Sequence, residues 1–554
     1  MTPPGGLSPT SGMRTLLAAA ALCLLAACDD GGTAASGADG ATPVDAAVDA
    51  TAVDAQPMDA ALPDAALPDA ALPDAEPRPY PEPGAWPPER GPGGPAVSFP
   101  EEALLQNCGF VDVGPDDIAD HHNMVTMYDG YLAMPWSPEF GLTGGLTFFD
   151  FSDPCAPVVV GHGTTDQMRE SHTIGFAQAG EGRYAVVAHQ FNLTTGGVLF
   201  WDVSDVTQPT VAGKLAVPGF FYPDAYARVV LSTFWQAPYV FAGGSDNGVY
   251  VIDASDPTQP SLVTQYVFEP TLRVGQVQVV GNLLVATAAE GTRVALLDVS
   301  NPADPQPVPG GDFIATDTDG VAREWYFSNL SGGFLYLMRK EDGGGLIIWD
   351  LHDPTRPVMA GGLRNGRNGG YVFVKDQLAF TGESSAAAIY DVSDPAQVTE
   401  LGVLNLKGDL DTATPIGNVV VLSVDDKADP DQASAVAPYA TEPDATPPKV
   451  TWVWPPDGAV DLAPTSRFGL VFSEFVSVKS VWAGSLRLYR ADREPALGRV
   501  DGHFAVQENI VNFWPATPLA RGVTYRLEVP AGGIADFNGN RITEPFAATF
   551  TIGR

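Results

Sequence analysis

Apolar residues along this chain fall in short unbroken runs that end in aspartate. The pattern is clearest at 248–260, GVYVIDASDPTQP, where four apolar residues lead to Asp253, then Ser-Asp-Pro and a second proline. It recurs as GGLTFFDFSDPCAP (144–157), GGVLFWDVSDVTQP (196–209), GTRVALLDVSNPADP (291–305), GGLIIWDLHDPTRP (344–357) and AAAIYDVSDPAQV (386–398). The closing aspartates are Asp150, Asp202, Asp253, Asp298, Asp350 and Asp391, at intervals of 52, 51, 45, 52 and 41 residues. A period of this size marks a repeat architecture. The runs do not alternate apolar with polar, as expected of strands covered on both faces.

Each run sits in a unit long enough for four short strands. Ser and Asp after the run can bond nearby backbone N–H groups while Pro presets φ, so a turn follows. A short strand ending in glycine comes next, as at 158–161, 211–213 and 358–361. Ahead of each run lies a hairpin, clearest at 124–134, where Asp129-Gly130 supplies a strong turn signal. A small sheet sandwiched between two like sheets is the blade of a β-propeller. A seventh, degenerate unit ends near 447, with Tyr439 in the place of the aspartate. It lacks its own fourth strand, whereas GFVDVG at 109–114 resembles such a strand upstream of the first hairpin. The expectation is a seven-bladed propeller of four-stranded antiparallel blades. Strand 109–114 should close the ring against 434–439.

These units resemble the LVIVD-repeat family of bacterial proteins over roughly residues 107–447. The resemblance implies a propeller on a secreted or surface protein and brings no catalytic motif with it. Downstream, WPPDGAVDL (454–462), LVFSEFV (470–476), FWPATPLARGVTYRLEV (513–529) and IADFNGN (534–540) resemble the SbsA-type bacterial Ig-like domain. Strands at 450–454, 468–472, 486–489, 510–514 and 525–529 agree with a β-sandwich over 449–554. The 536–540 stretch lacks the distal bidentate glutamate of a calcium loop and reads as a hairpin turn.

The N-terminal end carries the signals of export. Arg14 precedes the apolar run 15–27, too short to span a membrane as a helix. It ends in Leu25-Ala26-Ala27-Cys28, which resembles a bacterial lipobox; residues 1–28 then form a lipoprotein signal peptide with its lipobox, and cleavage ahead of Cys28 leaves that cysteine lipidated at the mature N-terminus. Residues 29–98, rich in Ala, Asp and Pro with three copies of ALPDA, cannot bury enough apolar surface to fold and are expected to form a disordered, extended stalk.

Charge narrows the partners. A net charge of −38 argues against phosphate-based binding of nucleic acid, although part of it belongs to the stalk. Cys108 and Cys155 remain for an oxidising compartment, where pairing is the default. Against it, the two cysteines hold equivalent positions in adjacent units, and blade rims diverge. Either the chain before Gly109 bends toward the first blade or both thiols stay free.

No nucleophile elbow, phosphate loop, HExxH or CxxC pair occurs. The residues ahead of each first strand would gather at one mouth of the central channel: His121, His122, His172, Asp224, Arg273, Glu324, Arg367, Asp409 and Asp411. Of these His121, His122, His172, Glu324, Asp409 and Asp411 are the candidate metal or ligand residues, since imidazole and carboxylate together suit a divalent metal. Arg273 and Arg367 argue the other way. His189 and His352 lie within or beside strands, and His162 lies in a loop. Two function classes follow. One is a non-enzymatic, membrane-anchored surface or periplasmic lipoprotein, expected to be a monomer, binding a protein, glycan or small ligand across the propeller face. The other is a metal-dependent enzyme at the channel mouth. The stalk and the Ig-like module favour the first, because both serve reach and display.

Overall fold

The computed structural model describes residues 76–84, 94, 97–110, 120–121, 124–138, 143–222, 227–340, 344–429 and 432–554. All six apolar runs form strands: Gly144–Asp150, Thr195–Asp202, Val249–Asp253, Arg293–Asp298, Leu346–Asp350 and Ala387–Asp391. Each is the third strand of an antiparallel sheet, and their apolar side chains are almost wholly excluded from water. The closing aspartate then caps its own turn. Asp253 Oδ1 accepts the Ser255 N–H at 2.8 Å and its hydroxyl at 2.6 Å, and Asp256 does the same for Thr258.

Seven such sheets form the propeller. Blades 2 to 6 draw all four strands from consecutive sequence. Blade 1 is built on Thr126–Tyr128, Tyr131–Pro138, Gly144–Asp150 and Val158–Thr165, with the short strand Asp120–His121 added beside the second. The last blade is Asp409–Ile416, Val419–Asp426 and Ser434–Pro438, and its outer strand comes from the other end of the domain. Cys108–Phe110 pairs antiparallel with it, Cys108 opposite Val436 and Phe110 opposite Ser434. Residues 111–114 of the expected closing strand lie outside the described residues. Tyr439, standing where the other blades have aspartate, donates its hydroxyl to Gly417 O at 2.6 Å.

Neighbouring blades pack through layers of buried Val, Leu, Ile and Phe. The glycine of an outer strand is dictated by this packing. A Cβ at Gly161 would stand 1.8 Å from the Val206 carbonyl of the next blade, and one at Gly361 the same distance from Pro395 O. No larger residue fits so close an approach.

The C-terminal domain is a two-sheet sandwich. One sheet holds Gly502–Gln507, Ile510–Pro515, Phe468–Phe472 and Val450–Trp454. The other holds Ala459–Leu462, Phe546–Ile552, Thr524–Val529, Arg487–Arg490 and Arg499–Val500. Phe468, Leu470, Leu488, Phe513, Leu527 and Phe550 fill the space between them. In the 536–540 turn, Asp536 Oδ1 accepts the N–H groups of Asn538 and Asn540, both at 2.8 Å.

Part of the stretch expected to be an extended stalk packs on this sandwich. Tyr80 lies under the Arg499 and Arg487 guanidinium groups, 4.8 and 5.4 Å from its ring centre, and donates its hydroxyl to Leu488 O at 2.5 Å. The Arg78 amide donates to Ala496 O and its side chain pairs with Asp501. Prolines at 79, 81 and 83 stiffen the segment, so little further entropy is lost on docking.

Candidate functional site

The first strand of every blade runs from one end of the channel to its hairpin turn at the other. The Ig-like domain sits over the turn end. Its own hairpin, residues 507–509, enters among the inner strands. Gln507 Oε1 accepts the Trp235 N–H at 3.0 Å while its Nε2 donates to Thr233 O at 2.9 Å. Asn329 and Gln278 donate to Glu508 Oε2 at 3.1 and 3.4 Å, and Asn509 donates to Leu330 O at 3.1 Å. Burial pushes Glu508 up to about 7, against the opposing pull of those two amides. Arg467, fully buried, donates to Gln236 Oε1 and Val299 O and lies 4.1 Å from the Trp514 ring centre. Asn512 joins the turns of blades 3 and 4 by accepting from Gly281 N at 2.7 Å and Gln236 Nε2 at 2.9 Å.

A cluster of carboxylates marks the rim of this joint. Oxygens of Asp376, Asp444 and Glu474 lie within 4.8 Å of one another, a spacing that suits a metal ion. Lys375 Nζ stands 2.8 Å from each of them, so the lysine itself is the cation. Burial acts to lower its pKa, but the carboxylates, Glu474 foremost, hold it above the usual lysine value.

The opposite mouth carries the chemistry. Glu170, His172, Tyr371 and Asp411 are each at most 7% exposed and form its floor. His172 Nε2 faces Glu170 Oε1 at 3.3 Å and its Nδ1 meets the Tyr371 hydroxyl at 2.7 Å. With Nε2–H toward the carboxylate, Nδ1 accepts from the phenol. Tyr371 also stacks on Phe327, with ring centres 4.1 Å apart. Burial first, then the negative surroundings of Tyr326, Glu170, Asp411 and Asp425, hold the Tyr371 phenol well above its usual pKa. Asp411 is likewise held far above the ordinary carboxylate range, by burial and then by Asp425 and Asp409. Above this floor, Lys340 Nζ lies 4.0 Å from the Tyr326 ring centre and 2.6 Å from Glu290 Oε1.

His172, Asp409 and Asp411 are therefore brought together, and Glu324 stands exposed just ahead of the first strand of blade 5. His121 is placed in the short strand beside blade 1, while His122, Asp224 and Cys28 lie outside the described residues. Arg273 is tied to Asp246 at 3.1 Å, and Arg367 to Glu383 and Glu400 within blade 6. A metal on His172 would have to displace either Tyr371 or Glu170. Among the other histidines, His189 Nδ1 faces Gln167 O at 2.7 Å, and His352 pairs with Asp350. His162 lies in the outer strand of blade 1 rather than a loop, stacked on Trp136 and bonded to Thr147 at 3.0 Å. Cys108 and Cys155 form a disulfide with Cα atoms 5.0 Å apart. Sequence reasoning missed Glu170, Tyr326, Lys340, Tyr371 and Asp425. Of these, Glu170 stood two residues before a singled-out histidine.

The fold and its two ends define an all-β protein in which a seven-bladed propeller carries a C-terminal Ig-like domain. Two segments match family models: residues 238–267 the LVIVD repeat, and residues 444–552 the bacterial Ig-like domain. No curated protein matches the chain. Among solved structures, it is similar to the periplasmic gluconolactonase PpgL of Pseudomonas aeruginosa at 13% identity and TM-score 0.42, over 54% of this chain and 85% of that one. It is also similar to the β-propeller domain of Cps50 (Swd1) from Myceliophteria thermophila, at 12% identity and TM-score 0.41, over 57% and 96%. A putative 6-phosphogluconolactonase from Bacteroides uniformis aligns at 10% identity and TM-score 0.41, over 51% and 84%.

Proposed function

We propose that this is a monomeric lipoprotein of the bacterial envelope, held to a membrane through Cys28, that binds a ligand at the mouth of its propeller away from the Ig-like domain without transforming it. The observation that carries the reading is the position of the Ig-like domain. Its hairpin at 507–509 enters the turn end of the channel, which leaves the end bearing Glu170, Tyr371 and Asp411 for a protein, glycan or small molecule. The engaged state of both His172 nitrogens favours binding over metal-assisted chemistry.

Photo-crosslinking in intact cells tests it. A benzophenone amino acid at Glu324, exposed on the mouth side, is expected to give adducts. One at Leu401, 58% exposed on the outer strand of blade 6, is not. The reverse pattern overturns the reading. Cys28→Ser is expected to abolish lipid labelling and release the protein from the membrane fraction, and a labelled variant refutes the anchor.

A further inference from the structure

The mouth contains a buried acid, Asp411, which is 7% exposed and whose carboxylate has no side-chain hydrogen-bond or ion-pair partner among the described residues. A polar group buried in this way is costly unless something satisfies it. The Tyr371 amide donates to Asp411 O at 2.9 Å, and the Tyr371 hydroxyl meets His172, which faces Glu170 at 3.3 Å, so Asp411 and Glu170 flank one ring; Asp409 and Asp425 of the same blade add their negative charge. Aromatic surface borders these acids: Tyr326 of blade 5 and Tyr371 of blade 6 both belong to it.

The mouth also holds a cation that belongs to the chain. Lys340 Nζ stands 4.0 Å from the Tyr326 ring centre, and its charge reaches Asp411. It is lightly tethered: its side chain is 32% exposed and its ion-pair partner Glu290 is 50% exposed. Ion pairs this wet contribute little. By contrast, among the described residues the carboxylate cluster tight enough for a bare metal ion is the one around Lys375. Carboxylates spread around aromatic faces suit a larger organic cation, which is attracted to the rings as well as to the acids.

From this juxtaposition we infer that the propeller mouth is a binding site for an ammonium or guanidinium group, with Lys340 as the internal cation that competes with a ligand for it. The ligand is a polyamine or the basic side chain of a peptide. The inference rests on the mouth being the ligand-binding end.

Calorimetric titration of the full chain with spermidine, with agmatine and with the peptide acetyl-Gly-Lys-Gly-amide tests it, with 1,4-butanediol and calcium chloride as controls. At least one amine or guanidine probe is expected to bind and both controls to fail. Spermidine or agmatine alone points to a free polyamine, and the peptide alone to a protein partner. Asp411→Asn should weaken binding at least about tenfold. Lys340→Ala should tighten it by about tenfold, because a competing internal group lowers apparent affinity in proportion to its occupancy. Lys340→Ala changes no fully buried residue, so it decides the matter even if Asp411→Asn folds poorly. Probes that bind neither the wild type nor Lys340→Ala overturn the inference. So does calcium binding lost in Asp411→Asn with amines inert. Amine binding indifferent to both substitutions also overturns it, since the net charge of −38 would then explain the attraction. If crosslinks form at position 324 while the probes fail, only this inference falls. If no crosslinks form there, the reading of the mouth falls with it.

Discussion

The disulfide should determine how firmly the ring is closed. Cys108 lies on the strand that completes the last blade, and Cys155 lies in the turn between the third and outer strands of the first. The bond therefore joins the two blades whose meeting closes the propeller. Its partners are 47 residues apart in sequence. Restricting a loop of that length in the unfolded chain is worth about 4 kcal/mol by chain-entropy arguments. Unfolding entropy of about 2.1 cal/mol/K per residue, over a body of several hundred residues, amounts to about 1 kcal/mol per degree. The double variant Cys108→Ser/Cys155→Ser should then melt about 4 °C lower than the oxidised wild type, by the same conversion. Differential scanning calorimetry with and without reductant is the assay. Reductant should bring the wild type down to the double variant and leave the variant unchanged. Removing residues 107–110 should cost more, because Ser434–Pro438 would also lose its ladder partner and become an open edge. A double variant melting within a degree of wild type would show that the bridge does not restrain the unfolded chain. A deletion no worse than the double variant would show that the strand adds nothing to closure.

Other outcomes follow from the joint between propeller and Ig-like domain. Lys375→Met leaves Asp376, Asp444 and Glu474 without their cation and should cost about 3–5 kcal/mol in urea denaturation, less at low pH where the acids protonate. An equal loss at low and high pH would contradict this. For Glu508, lifted from 4.5 to about 7, the folded protein keeps a proton that the unfolded chain releases, so stability falls as pH rises between those values. Glu508→Gln should flatten that slope and raise the melting temperature above pH 7, and an unchanged slope would refute it. Tyr80→Ala should release the segment at 76–84, read as faster hydrogen exchange of the Arg78 amide now bonded to Ala496 O. Unaltered exchange would mean the rings and guanidinium groups do not hold it.

Much of the architecture was legible because it is written locally. An unbroken apolar run states that both faces of a strand are covered, and the closing aspartate bonds to the backbone two residues on, as at Asp253 and Ser255. Even ring closure could be read, since a missing strand at one end matched a spare one at the other. The disulfide stood open in sequence because its geometry depends on how the closing strand approaches blade 1. The mouth was legible only in part. His172, Asp409 and Asp411 precede or begin their strands and could be placed by symmetry, but Glu170, Tyr326, Lys340, Tyr371 and Asp425 come from blades 2, 5, 6 and 7. Nothing local marks Gln507, Glu508 and Asn509 as more than a hairpin turn, or Lys375 as the hub of three distant carboxylates. By itself the sequence determined the repeat, the turns and the succession of modules, since these follow from short-range burial and backbone bonding. Which charges are stripped of water and which face one another was decided only by the closed ring and the docked domain, because desolvation and Coulomb forces act between groups that the chain keeps far apart.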